Sequence, residues 1–336
     1  MLIFERPILM LMGATASTYA YAAQFYRIFN VGAVLVTMSI IPGNLMRTEG
    51  RARETMVATV LGIVINVIFD PPLFILGFHM GAAGAALANL LGYLLSDALL
   101  VVYIIKRCRV ITVDWRKMSL QRDSVWQVLI IGIPASVTNL MISYQTALFN
   151  NYLARYGADQ VAALGIATKV SQVVNAIMVG FAFGAQPLVG YNYGGAKNHK
   201  RLQAIIRFDI IVEVLWSLVM ASLMILVAPW IVSLFLKNPN VIHYGTQLLR
   251  ILLVTTPFAG AILVYTTVFQ STAQAFNALV MSVSRQGVFF TIAIVIGNLL
   301  FGYNGIIWSQ AVADVLTAAL GWYLYRRQVR KVNQAL

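Results

Sequence analysis

The sequence predicts an all-α membrane protein of nine transmembrane helices, and three observations carry that prediction. Of its 336 residues 60% are hydrophobic and only 10% are charged, against roughly a quarter charged in soluble domains. Apolar stretches recur that reach the ~20 helical residues needed to cross a bilayer. The charges gather in the short connections between those stretches. Water cannot solvate such a chain, whereas hydrocarbon can, provided the backbone is paired within helices.

In order along the chain, MLIFERPILMLMG opens with an apolar run broken by Glu5, Arg6 and Pro7. It lacks the basic-apolar-small order of a signal peptide and is too short to span. Spans are expected near 17–46, 52–77, 81–105, 124–153, 160–190, 202–235, 242–270, 275–302 and 305–325. The first two meet at a basic turn, Arg47–Arg53. The third opens on Gly81-x-x-Gly84 and closes on Lys106–Arg107. Residues 106–123 alternate charged and apolar side chains, the pattern of a segment lying along the membrane surface, and divide the chain. In Ala185–Arg201, Pro187 with Gly190, Gly194 and Gly195 is expected to loosen the helix. The last span ends in a basic tail, 326–336.

Alternating loops place sixteen Lys and Arg residues on one side of the membrane and three on the other. The positive-inside rule then makes the C-terminus cytoplasmic. That distribution, rather than a nucleic-acid surface, accounts for the net charge of +13. Cys108 is the single cysteine, which excludes an internal disulfide. His79, His199 and His243 are scattered, so neither metal nor hydrolytic chemistry is expected, and the chain is not read as an enzyme.

An internal repeat is visible. Tyr21-x-x-Gln24-x-x-Arg27-Ile28 returns as Tyr244-x-x-Gln247-x-x-Arg250-Ile251, and Gly81-x-x-Gly84 returns as Gly302-x-x-Gly305. Three spans lie between the copies. A plan of two six-helix lobes follows, in which the second lobe is whole and the first supplies its last three helices, with Ile8–Gly13 as the end of a preceding one. Parallel repeats of this kind put substrate between the halves.

Gln186, Pro187, Gly190, Asn192, Gly194, Ala196 and Asn198 resemble a signature of the multidrug and toxic compound extrusion (MATE) transporters. Further likenesses are Arg47–Gly50, Asn66-x-x-x-Asp70-Pro71, Gly81–Asn89, Gly132-Ile133-Pro134 and Tyr156-Gly157 through Ile166. They cover essentially the whole chain. The resemblance implies a MATE-like bundle: 1–105 as a partial N-terminal lobe equivalent to helices four to six, 106–123 as a cytoplasmic linker, 124–325 as a complete C-terminal lobe, and 326–336 as a cytoplasmic tail. Two departures stand out. The family's first-helix carboxylate has no counterpart, and Val137–Tyr152 contains no acid where some members carry a glutamate.

Ionisable groups inside spans are functional candidates. Asp70 shares a helix face with Asn66; it either caps the helix end before Pro71 or, as the resemblance implies, meets cationic substrates. Asp97 lies deep in the third span and Asp314 mid-way along the last. Asn139, Gln145, Gln172 and Asn175 either line a cavity or bond between helices, and Gln186 joins them from the signature. Arg27, Lys169, Arg250 and Arg285 are expected to pair with acids or helix carbonyls. Asp209 and Glu213, with Arg207 nearby, read as a local ion network near the cytoplasmic surface.

The resemblance implies a secondary-active antiporter in the inner or plasma membrane, acting as a monomer on small molecules in exchange for H+ or Na+, with no other cofactor and no nucleic-acid partner. Two alternatives stay open: a truncated, inactive remnant, or a lipid-linked saccharide flippase of the same superfamily.

Overall fold

A computed structural model gives the fold and describes residues 5–11, 19–68, 80–108, 121–195 and 199–334. Among these residues every regular element is a helix; five are long and apolar enough to cross a membrane, or seven if two bent pairs each count as one span. The expected spans fall on helix except for 17–18 and 69–77, which lie outside the described residues. The chain divides into two compact units, Met1–Ser119 and Leu120–Leu336.

The first unit holds α1 (Glu5–Leu11), α2 (Tyr19–Val31), α3 (Ala33–Thr48), α4 (Ala52–Ile68) and α5 (Gly81–Arg107). Helix α5 is its axis, since α2, α3 and α4 all pack on it. It can be approached closely because its buried face is built of Gly84, Ala86, Ala88, Gly92 and Ser96. The span expected at 17–46 is not straight: α2 and α3 meet at 54°. Gly32 stands at the bend, and a side chain there would collide with Leu90 of α5.

The second unit holds α6 (Arg122–Ala154), α7 (Ala158–Gly190), a π-turn at Tyr191–Gly195, α8 (His199–Phe235), α9 (Pro239–Val254), α10 (Thr256–Ser271), α11 (Ala275–Ser282), a π-segment at Val283–Phe289, α12 (Phe290–Phe301) and α13 (Tyr303–Gln334). Helices α7 to α10 enclose the main core, with Leu164, Val174, Met178, Val232, Leu248 and Leu253 buried at its centre. α12 packs on α13, which reaches α10 on its other side. Outward surfaces are apolar, as lipid tails require: Leu226 is 76% exposed and Leu299 77%.

The span expected at 242–270 is also bent, by 47° between α9 and α10. Pro257 has no N–H to offer the Leu253 carbonyl four residues back. The Thr256 hydroxyl and the Thr255 amide donate to that carbonyl instead. Gly32 and Thr255 occupy matching places in the two sequence copies, so the repeat carries its bend with it. Gly81 and Gly302 match as well, and both take the left-handed backbone that favours glycine, φ +54° and +58°.

Within Ala185–Arg201, α7 continues through Pro187 to Gly190 and then widens into the π-turn. Asn192 stabilises this turn by donating from Nδ2 to the Leu188 carbonyl at 2.8 Å. Ala196–Asn198 lie outside the described residues, as do Asp70, His79 and most of the 106–123 segment.

Candidate functional site

Three of the expected site residues come together in the second unit. Gln310 and Asp314 are four apart on α13 and therefore share a face. Gln310 donates from Nε2 to Asp314 Oδ1 at 2.9 Å. Arg285 donates from Nε to the same oxygen at 2.8 Å. Gln145 of α6 extends the chain by donating from Nε2 to Gln310 Oε1. The Asp314 side chain is only 4% exposed, and pairing with a cation is what makes a carboxylate tolerable at such a place. Arg285 sits in the π-segment, where one extra residue per turn re-aims side chains relative to a regular helix. Two further bonds lace α6 to the same rod: Thr138 Oγ1 to Ser282 Oγ at 2.9 Å, and Tyr144 to Thr291 at 3.1 Å. The group is charge-neutral and fully connected, so its chemistry is to hold helices in register.

Asp97 is placed differently. It is buried on α5, and neither carboxylate oxygen has a hydrogen-bond partner among the described residues. Asn66 Nδ2 on α4 is likewise buried and unpartnered. Both lie along the seam where α4 and α5 touch through glycines: a Cβ on Gly62 would lie 2.6 Å from the Gly92 carbonyl. Such a seam leaves little room for a counter-charge from either helix. Asp70, the leading candidate in the sequence, lies outside the described residues.

The remaining candidates are dispersed. Gln186 donates to Gln270 of α10 at 3.4 Å. Asn139 is exposed and donates to the Ala135 carbonyl of its own helix. Gln172 is exposed and Asn175 half-buried on α7. Arg27 binds Glu5 through two hydrogen bonds of 2.7 and 3.0 Å, while Arg250 donates to the Ile225 carbonyl at 3.4 Å. Lys169 departs from expectation. It is exposed and has neither an acid nor a carbonyl partner among the described residues, because its position on α7 faces outward and its long stem carries the ammonium away from the helix.

The expected ion network at Asp209 and Glu213 is not formed. Arg207 is exposed, whereas Asp209 is 6% and Glu213 0% exposed. Residues two apart on a helix point to opposite sides, so Arg207 cannot reach them. The two acids are four apart and belong to the buried face of α8. No salt bridge among the described residues includes either one. Sequence proximity to the basic loop at 197–201 hid this; the helical spacing alone would have revealed it.

A recess of about 830 Å³ along α12 and α13 is lined by exposed apolar side chains including Ile292, Ile296, Trp308, Val312 and Leu316. It stands apart from the charged groups and is what a surface against acyl chains looks like. Among the described residues no three His, Cys, Asp or Glu side chains gather to hold a metal ion.

With that geometry in place, comparison with known proteins is decisive. The family model described as MatE matches residues 1–71 and 134–296. The chain belongs to the MATE family. Membership of this transporter family means that it is not an enzyme, and that its apolar helices are those of a multi-pass membrane protein. Among curated proteins this MATE chain is 26% identical over 315 residues to "Multidrug export protein MepA" of Staphylococcus aureus (strain NCTC 8325 / PS 47), covering 94% of this chain and 69% of that protein. It is 24% identical over 321 residues to the protein of the same name from Staphylococcus haemolyticus (strain JCSC1435), covering 96% and 70%. Among solved structures the fold is similar to a mutant of the Vibrio cholerae MATE transporter VcmN, with TM-score 0.86, 19% identity and 98% of this chain and 74% of that one covered. It is also similar to a MOP superfamily transporter from Pyrococcus furiosus, with TM-score 0.89, 21% identity and coverage of 99% and 75%.

Proposed function

We propose that this chain exports organic compounds, cationic or amphiphilic in character, across the cell's inner or plasma membrane in exchange for H+ or Na+. Its relatives named as multidrug export proteins support the export reading. The observation that carries the coupling is Asp97, a carboxylate buried within a membrane span without a hydrogen bond or an ion partner among the described residues. Such a charge is costly in that place. Binding a cation there removes the cost, and release restores it. The two loading states therefore favour different packings around α5, which is the differential free energy that alternating access needs. Asn66 and Asp70, on the neighbouring span, are the side chains proposed to meet a cationic substrate. The chain works as a monomer with its basic tail in the cytoplasm.

The flippase reading has weaker support. Pyrophosphate recognition calls for unpaired deep cations, whereas Arg285 is engaged by Asp314.

The test is reconstitution of the chain in proteoliposomes with a fluorescent organic cation, under an imposed H+ or Na+ gradient. One gradient is expected to drive dye movement, and Asp97→Asn is expected to slow it severalfold at unchanged or higher Tm. No movement under either gradient overturns the proposal in favour of an inactive remnant.

A further inference from the structure

The second unit holds a pair of acids that the reading above does not use. Helix α8 buries Ile206, Asp209, Glu213, Ser217 and Ala221 along one face, at the i, i+3 and i+4 spacing of a packed seam. Glu213 is wholly buried, and both of its carboxylate oxygens lack a hydrogen-bond partner. Three residues on, the buried indole N–H of Trp216 is also unpartnered, so orphaned acceptors and an orphaned donor lie within one turn of the same helix. The walls around Glu213 are apolar apart from the Ala182 backbone of α7. A Cβ on Gly260 of α10 would lie 3.4 Å from Glu213 Cβ and 3.0 Å from Met178 Cε of α7. Phe181 of α7 packs on Trp216 with ring centroids 6.3 Å apart.

Among the described residues no salt bridge reaches either acid. The elements packed on α8 are α7, α9, α10 and the π-turn. Helix α10 and the π-turn contain no charged residue. On α7 the charged residues are Asp159, which lies at the far end near Asn238, and the exposed Lys169. On α9, His243 is exposed and stacks on Tyr244, and Arg250 is engaged by the Ile225 carbonyl. On α8 itself His199, Lys200 and Arg201 stand in the first turn, eight or more residues before Asp209 and so about 12 Å away along the axis, and Arg207 points away.

We propose that Asp209 and Glu213 form a proton-binding site inside the C-terminal unit, with Glu213 as the primary proton carrier and Asp209 its nearer link to solvent. Two carboxylates four residues apart within an apolar seam cannot both stay ionised without a partner. A proton meets that need with a single oxygen. A metal cation would need a shell of oxygen ligands, and the side chains of Met178, Phe181 and Trp216 offer none. The hydroxyl proton of Ser217 is already given to the Val214 carbonyl, so it is not available to either carboxylate. The proton occupancy stands on this geometry alone; its use as a second coupling proton rests on the exchange reading proposed above.

Infrared difference spectroscopy of the purified full chain, stepped in pH, reads the site directly through the carbonyl stretch of a protonated carboxylic acid. In an Asp97→Asn background, which removes the other buried acid proposed to bind a cation, such a band is expected, and adding Glu213→Gln is expected to lose it. Asp209→Asn is expected to keep the band with a shifted midpoint, since the neighbouring charge is gone. Glu213→Asp, if Glu213→Gln fails to fold, is expected to move the band rather than abolish it. A band unchanged in Glu213→Gln, or a band removed by Na+ at constant pH, overturns the proposal. The transport assay with an H+ gradient then separates the two readings. Dye movement lost in Glu213→Gln supports coupling through this pair, and an infrared signal in a chain that moves no dye leaves the proton site standing while the exchange reading falls.

Discussion

Asp314 and Arg285 have little to gain alone and much to lose together. Removing either partner strands a charge in an apolar setting, which typically costs about 3–5 kcal/mol for a buried pair. Arg285 is 24% exposed at its side chain, so the lower part of that range applies. Arg285→Ala and Asp314→Ala are each expected to lower the denaturation midpoint, and the double change Arg285→Met, Asp314→Leu to recover most of it; equilibrium unfolding in detergent checks this. Cys108, just beyond α5, offers a second test. Burial first, and then its hydrogen bond and proximity to Glu49, push the thiol above its ordinary range. A raised value leaves less thiolate at neutral pH, so maleimide labelling is expected to be slow there and to speed up as pH rises, and Glu49→Gln to accelerate it. At this scale the sequence was legible where side chains pair within one short stretch and illegible where pairing crosses helices. Arg285 needed an acid, but nothing in its neighbourhood named one 29 residues away. Glu213 lies close in sequence to a basic loop, yet helical phase turns it to the buried side of α8.

Elements were far more legible, since apolar length has one physical meaning in a bilayer. Among the described residues the expected spans fall on helix, yet two are bent pairs. Pro257 signals one bend through its missing donor. Gly32 signals the other only after Leu90 is known to fill the space. The π-segment around Arg285 had no sequence sign at all, because an extra residue per turn leaves composition unchanged. Glycines separate into those that are needed and those that are not. A Cβ on Gly297 would lie 2.6 Å from the Gly305 carbonyl, so α12 and α13 touch backbone to backbone. Gly305→Ala is expected to force them apart and cost ~1–3 kcal/mol. Gly132 has nothing within 4 Å of a built Cβ, and Gly132→Ala within α6 is expected to gain about 0.5–1 kcal/mol. Thermal unfolding of both variants discriminates them.

At the scale of the molecule, charge distribution predicts topology. A fluorescent protein fused after Leu336 is expected to mature and glow in cells, and an alkaline phosphatase fused there to stay inactive; the reverse pattern contradicts a cytoplasmic tail. The repeat, read from a few matched residues, proved to hold backbone features as well: the elbows at Gly32 and Thr255 and the left-handed glycines at 81 and 302. The elbow between α9 and α10 differs from an ordinary kink in how its polar group is served. The Leu253 oxygen takes a hydroxyl on a rotatable stem beside the Thr255 amide at the end of α9, and Pro257 brings no N–H to it. Flexing that joint therefore re-sets one side-chain bond and one cap amide and leaves the regular rungs of α9 and α10 in place, which lets the two halves of the rod pivot while each stays intact.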